Sequence, residues 1–127
     1  MNNDAARLLN DAVINRLADI YLSFLNIPTC RQSYRRIKNA VILCALVYDD
    51  MSLVYAELEK TEICSAAEIA RDIATTINSL PNPIGETFNN AYCAESEMGF
   101  MPKHKNTEDI IAFLGKTFLY ILETNYR

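Results

Sequence analysis

Two adjacent carboxylates, Asp49 and Asp50, are the residues of this chain whose type best suits acid–base chemistry. Neighbouring side chains on a helix point about 100° apart, so two adjacent carboxylates do not face one substrate together. The one histidine, His104, lies between two lysines in a polar segment, where we expect it to be solvated. These residues therefore do not predict an acid–base catalyst.

The other reactive side chains are thiols, at Cys30, Cys44, Cys64 and Cys93. No two of them are close enough in sequence to form the cysteine pair of a zinc site. The first residues are polar and charged and do not resemble a signal peptide, so we expect reduced thiols in an intracellular protein. A nucleophile-elbow motif and a Gly-rich phosphate loop are also absent. We therefore expect no enzyme activity, no metal and no cofactor.

The composition favours one α-helical domain over residues 1–127. Half of the residues are hydrophobic and 22% are charged, while Gly and Pro are scarce, which favours helices over a sheet with many turns. The net charge of −4 argues against nucleic-acid binding. The uncharged part of the most apolar segment, residues 39–48, is roughly half as long as a membrane span, so we expect no transmembrane anchor.

The longest apolar stretch is residues 39–60, and the two acids interrupt it near its middle. On a helix this stretch is apolar nearly all round, which predicts a central helix packed on more than one side. A Ser at position 65 and a Glu three residues later fit a capping box for another helix. We expect four helices besides the central one. Three of them cover residues 2–26, 65–80 and 84–98, and the fourth begins after a cap at Asn106 or Thr107.

A basic cluster, formed by Arg31, Arg35, Arg36 and Lys38, lies at the start of the central helix. Basic residues at a helix N-terminus oppose the helix dipole, so this cluster does not stabilise the helix. Two interpretations remain open. The cluster is either a solvated helix start or a docking patch for an acidic partner.

The segment LVYDDMSLVY, residues 46–55, resembles the BH3 segment in the second helix of pro-survival Bcl-2 proteins. In that family an Asp pair is followed by a large apolar residue, in some members by Ser, and then by Tyr. Residues 69–86 are similar to the helix that leads into the family's BH1 motif, and residues 109–122 to its sixth helix. The chain is short, and the order of these segments in it resembles that in the Bcl-2 mimics of large DNA viruses such as iridoviruses.

The resemblance implies an all-α, Bcl-2-like helical bundle with a central hydrophobic helix and a surface groove. The groove would bind the BH3 helix of host pro-apoptotic proteins through apolar anchors three and four residues apart, and would thereby inhibit apoptosis. It also implies a cytoplasmic location in the host cell, with recruitment to mitochondria through these partners. The implied groove residues are Met51, Tyr55, Leu58, Ile73, Ile77, Ile84, Gly85, Glu86 and Phe88.

Glu86 departs from the family pattern, because the family has at that place an Arg that pairs with an Asp of the bound helix. Two carboxylates that face each other across an interface repel. We therefore expect weakened affinity or a narrow partner range unless Lys60 or the basic cluster supplies the missing charge. Cys44 and Tyr48 also depart from the pattern, since the motif has Leu and Gly there.

The alternative from a different class of function is a self-associating helical bundle with no open groove. Five helices as apolar as these cannot bury all of their apolar surface against one another. A homodimer could cover the remaining apolar surface in place of a bound peptide. A homodimer that is unaffected by a BH3 peptide would favour this alternative.

Overall fold

The protein is all-α in a computed structural model, which describes residues 3–80, 84–92, 101 and 106–125. These ranges contain seven α-helices and a 3-10 turn and no β-strand, so the predicted all-α class is confirmed. The elements are α1 (Asn3–Leu9), α2 (Ala12–Tyr21), the 3-10 turn (Leu22–Leu25), α3 (Gln32–Leu46), α4 (Met51–Thr61), α5 (Ala66–Asn78), α6 (Ile84–Tyr92) and α7 (Thr107–Asn125).

The prediction of one helix over residues 2–26 is wrong, because Asp11 begins a new helix inside it. The Asp11 carboxylate accepts hydrogen bonds from the backbone N–H groups of Val13, at 2.9 Å, and Ile14, at 3.0 Å. Such a side-chain cap satisfies N–H groups that a helix start leaves unpaired. The 3-10 turn then ends at Leu25, and the residue that follows it, Asn26, has a φ of 57° in the left-handed region.

The prediction of one continuous helix over residues 39–60 is also wrong, since α3 and α4 are separate. The backbone N–H groups of both Val47 and Tyr48 donate to the Leu43 carbonyl, which closes the end of α3. Asp50 then caps α4, because its Oδ1 accepts from the backbone N–H of Ser52 at 2.9 Å and from the Ser52 hydroxyl at 2.8 Å. These two bonds hold the pKa of the Asp50 carboxyl below its usual value. The acid pair therefore lies between two helices and not within one.

The capping box at the start of α5 is confirmed. The Ser65 hydroxyl accepts from the Glu68 backbone N–H at 3.2 Å, and the Glu68 carboxylate accepts from the Ser65 backbone N–H at 3.5 Å. The apolar stripe of α5 is buried, with Ile69 and Ile73 fully inaccessible. Helix α5 ends at Asn78, and the predicted extension of α6 over residues 93–98 lies outside the described residues.

Helix α3 is the central helix, and its most extensive contacts are with α7. Ala40, Val41, Ile42 and Leu43 are consecutive and all fully buried, so α3 is covered on every side. Gly115 of α7 allows the two backbones to approach each other closely. A Cβ atom at position 115 would lie 2.7 Å from the Cβ of Cys44 and 3.2 Å from the backbone N of Ala45.

Within the described ranges, no helix combines the length and the apolar character needed to cross a membrane.

Candidate partner-binding cleft

The implied groove residues of α4 and α5 lie on two helices that pack together, but most of their side chains face the core. Leu58 and Ile73 have no exposed surface, and Ile77 is 5% exposed. Met51 is half-buried at the start of α4, where its Sδ lies 3.2 Å from the Sγ of Cys44. Leu58 and Ile73 are therefore core residues in this structure and offer no surface to a ligand.

The four implied groove residues of α6 lie elsewhere, because α6 packs mainly on the 3-10 turn. Phe88 is fully buried in an aromatic cluster, with its ring centroid 5.5 Å from those of Phe24 and Phe113. Gly85 is buried, Ile84 is half-buried, and Glu86 is exposed. The nine implied residues therefore fall into two groups, five on α4 and α5 and four on α6.

A cleft of about 360 Å³ opens where α4, α5 and the start of α7 meet. Its only implied groove residue among the described ones is Tyr55, from α4. Helix α5 contributes Ala70, Arg71 and Ala74, and residues 106–108 close the cleft at the start of α7. We call this the α4–α5–α7 cleft.

Tyr55 is a largely buried residue that also lines the cleft. The residue is 6% exposed, and its hydroxyl has no hydrogen-bond partner among the described residues. Burial raises the pKa of Tyr55 to about 12, and the nearby carboxylate of Glu108 adds to the effect. The hydroxyl is therefore protonated at neutral pH, and it can donate a hydrogen bond to a group that enters the cleft.

Helix α5 turns its small residues toward the cleft. Ala70 and Ala74 are four residues apart, so they lie one above the other on one face of the helix, and both are half-buried. Methyl side chains allow the backbone of a second helix to approach closely, as small residues do at helix crossings. This side of the cleft therefore suits an apolar helical surface.

Charges of both signs border this apolar face. Arg71 is exposed, and no ion pair joins it to another described residue. On the opposite side Glu108 follows Asn106, whose side chain caps α7 by accepting from the Asp109 backbone N–H at 2.8 Å. A partner with an apolar stripe and flanking residues of both signs would complement this arrangement.

Sequence reasoning missed most of this site. The alanines lie beside the isoleucine stripe of α5 in the periodic pattern, so their position next to a buried face could have been read from the sequence. Nothing local singles out Arg71, and the proximity of residues 106–108 to α5 depends on tertiary packing alone.

His104 and Cys93 lie outside the described residues. Within the part of the chain that the structure describes, no three His, Cys, Asp or Glu side chains cluster as metal ligands would. Comparisons with protein-family models, with curated proteins and with solved structures find no match for this chain.

Proposed function

We propose that the protein is a binding module that captures an amphipathic helix of another protein in the α4–α5–α7 cleft. The observation that carries this proposal is the opening of that cleft beside an alanine face, with Tyr55 among the residues that line it. A partner helix would place apolar side chains against Ala70 and Ala74 and a hydrogen-bond acceptor near Tyr55.

The finer proposal is a Bcl-2-like fold whose partner is the BH3 helix of a pro-apoptotic protein, so that binding inhibits apoptosis. Its support is the resemblance of residues 46–55 and the order of the helices that follow. The position of the acid pair weakens that support, because Asp50 acts here as a helix cap and the two acids lie between α3 and α4.

Arg71 is a cation at the cleft that the sequence analysis did not consider as the partner of an acidic residue in the bound helix. Glu86 does not line the α4–α5–α7 cleft, so its carboxylate is not placed to repel an acidic residue of the partner there. Lys60 pairs with Glu57 at 3.4 Å, whereas Arg71 lines the cleft and is exposed. On this proposal Arg71 is the cation that meets an acidic residue of the bound helix.

Titration calorimetry with a panel of BH3 peptides tests the proposal. We expect binding by the wild-type chain and loss of binding by Ala74→Phe, because the larger side chain fills the cleft. Ala91→Phe is the matched control, since Ala91 is exposed on α6 and does not line the cleft. If no peptide binds, the BH3 proposal fails. If Ala74→Phe binds as tightly as Ala91→Phe, the cleft is not the site.

The homodimer alternative has its own structural support in α2. Val13 and Ile20 are both 60% exposed and are seven residues apart, so they share one outer face of that helix. Sedimentation of the wild-type chain and of a Val13→Ser/Ile20→Ser variant separates the two functions. A dimer that this variant abolishes, together with no heat of peptide binding, would favour self-association over peptide capture.

A further inference from the structure

A second cleft, of about 550 Å³, lies between α3, the α1–α2 junction and the loop after α4. It is independent of the α4–α5–α7 cleft, because no described residue lines both. Arg35, Arg36 and Lys38 of the basic cluster line it, and Glu62 and Ile63 of the loop lie opposite. We call it the α3 cleft.

Two cations of the α3 cleft already have acidic partners. Arg36 is 6% exposed; its Nε donates to Glu62 at 2.7 Å and its Nη1 to Asp72 at 2.8 Å. Lys38 lies 3.3 Å from the carboxylate of Asp19. These pairs hold the walls of the cleft together, and their two cations and three carboxylates carry a net charge of −1.

Of the other two arginines in the basic cluster, Arg35 lines the α3 cleft, whereas Arg31 lies one helical turn before it and outside the lining. Both are exposed, and neither forms an ion pair with any residue that the structure describes. Arg31 precedes the first residue of α3, where no side chain caps the helix and no acid stands in the first turn. The positive end of the helix dipole therefore adds to the positive charge of two arginines. This arrangement is locally unfavourable for the start of the helix.

Uncommitted polar groups and an apolar residue complete the cleft. The side chains of Gln32 and Asn39 line it, and neither has a hydrogen-bond partner among the described residues. Amide side chains both donate and accept, as a peptide backbone requires. Ile63 is fully exposed beside them. An apolar residue together with free amides suits a peptide better than a small inorganic anion.

We propose that the α3 cleft docks an acidic peptide segment of a partner protein. One carboxylate of that segment pairs with Arg35 in the cleft and another with Arg31 beyond its edge. The backbone of the segment hydrogen-bonds to Gln32 and Asn39, and an apolar side chain covers Ile63. The charge complementarity selects this occupant, since Arg35, which has no ion pair among the described residues, lines the cleft beside the N-terminus of α3, and Arg31 lies one helical turn before it.

Fluorescence anisotropy of a labelled peptide built of glutamate and valine tests this proposal on the full chain. We expect the wild-type protein to bind it, and Arg35→Glu to weaken binding by roughly tenfold, as expected when one charge-assisted contact is lost. Lys116→Glu is the matched control, because Lys116 is also exposed, lies on α7 and does not line the cleft. It should leave affinity near the wild-type value.

Any one of four results would overturn the proposal. The wild-type chain does not bind the acidic peptide, or the glutamine analogue of the peptide binds equally well, or Arg35→Glu and Lys116→Glu weaken binding to the same extent. An Arg35→Glu variant that changes only the sedimentation of the protein would identify a second copy of the chain as the occupant. That outcome also overturns the proposal.

Discussion

Substitution of Gly115 by alanine tests how tightly the two central helices are packed. The added Cβ atom would lie 2.7 Å from the Cβ of Cys44, and backbone atoms of α3 lie at 3.2 and 3.3 Å. Carbon atoms in contact normally lie about 3.5–4.0 Å apart. No rotation of a side chain can relieve this overlap, because a Cβ atom and the backbone are fixed by the helix. Helices α3 and α7 must therefore move apart.

The expected loss of stability is the difference between two opposing effects. Alanine is favoured over glycine inside a helix by about 1 kcal/mol, whereas overpacking a well-packed core costs about 1–3 kcal/mol. The overlap lies in the most extensive helix pair of the fold, so the upper value applies. We expect Gly115→Ala to lower the free energy of unfolding by about 2 kcal/mol, and the melting temperature by roughly 8 °C.

Urea unfolding followed by circular dichroism measures this change, with Lys116→Ala as an exposed control on the same helix. Cys44→Gly removes the Cβ atom with which the new Cβ of Gly115→Ala would overlap. The double variant should therefore lose less stability than the sum of the losses in the two single variants. A Gly115→Ala variant as stable as the wild type, or strictly additive losses, would refute the close packing of α3 on α7.

Three further predictions concern charge and ionisation. Arg36→Met should lower the free energy of unfolding by about 3 kcal/mol, because it leaves two partly buried carboxylates unpaired, whereas exposed Arg35→Met should have little effect; urea unfolding measures both. Burial and Glu108 raise the pKa of Tyr55 to about 12. The unfolded chain therefore loses this proton first, so stability should fall between about pH 10 and 12, and less so in Tyr55→Phe. Burial and Asp49 raise the pKa of Cys44 to about 11, so a thiol reagent at neutral pH should label exposed Cys30 well before Cys44.

Each of these predictions has an outcome that contradicts it. Equal losses for Arg36→Met and Arg35→Met would mean that the buried ion pairs contribute no stability. An alkaline unfolding curve unchanged in Tyr55→Phe would mean that this hydroxyl ionises alike in the folded and unfolded chains. Labelling of Cys44 at the rate of Cys30 would mean that the gap between α3 and α4 opens readily.

The helical class, the buried stripe of α5 and its capping box could be read from the sequence, because each depends on residues within a few positions of one another. Asp11 and Asp50 were harder to interpret. An Asp inside an apolar periodic pattern is compatible with a continuous helix or with a cap, and the side-chain hydrogen bonds that decide between them depend on where the chain turns.

The candidate site is harder to predict from the sequence than the helical class, because it depends on how the helices pack together. Periodicity identifies the apolar face of a helix, but it does not say whether that face meets the core or a ligand. Ile73 and Phe88 are apolar at the expected spacing and are fully buried. Arg71 became a candidate only because α5 and the start of α7 lie side by side.

The most direct test of the proposed function is a nitrogen–proton correlation spectrum of the labelled chain, titrated with a BH3 peptide. We predict that the largest shifts occur at residues lining the α4–α5–α7 cleft, with Tyr55, Ala70, Ala74 and Thr107 among them. Shifts that are absent, or that instead centre on Val13 and Ile20 of α2, would contradict helix capture in this cleft.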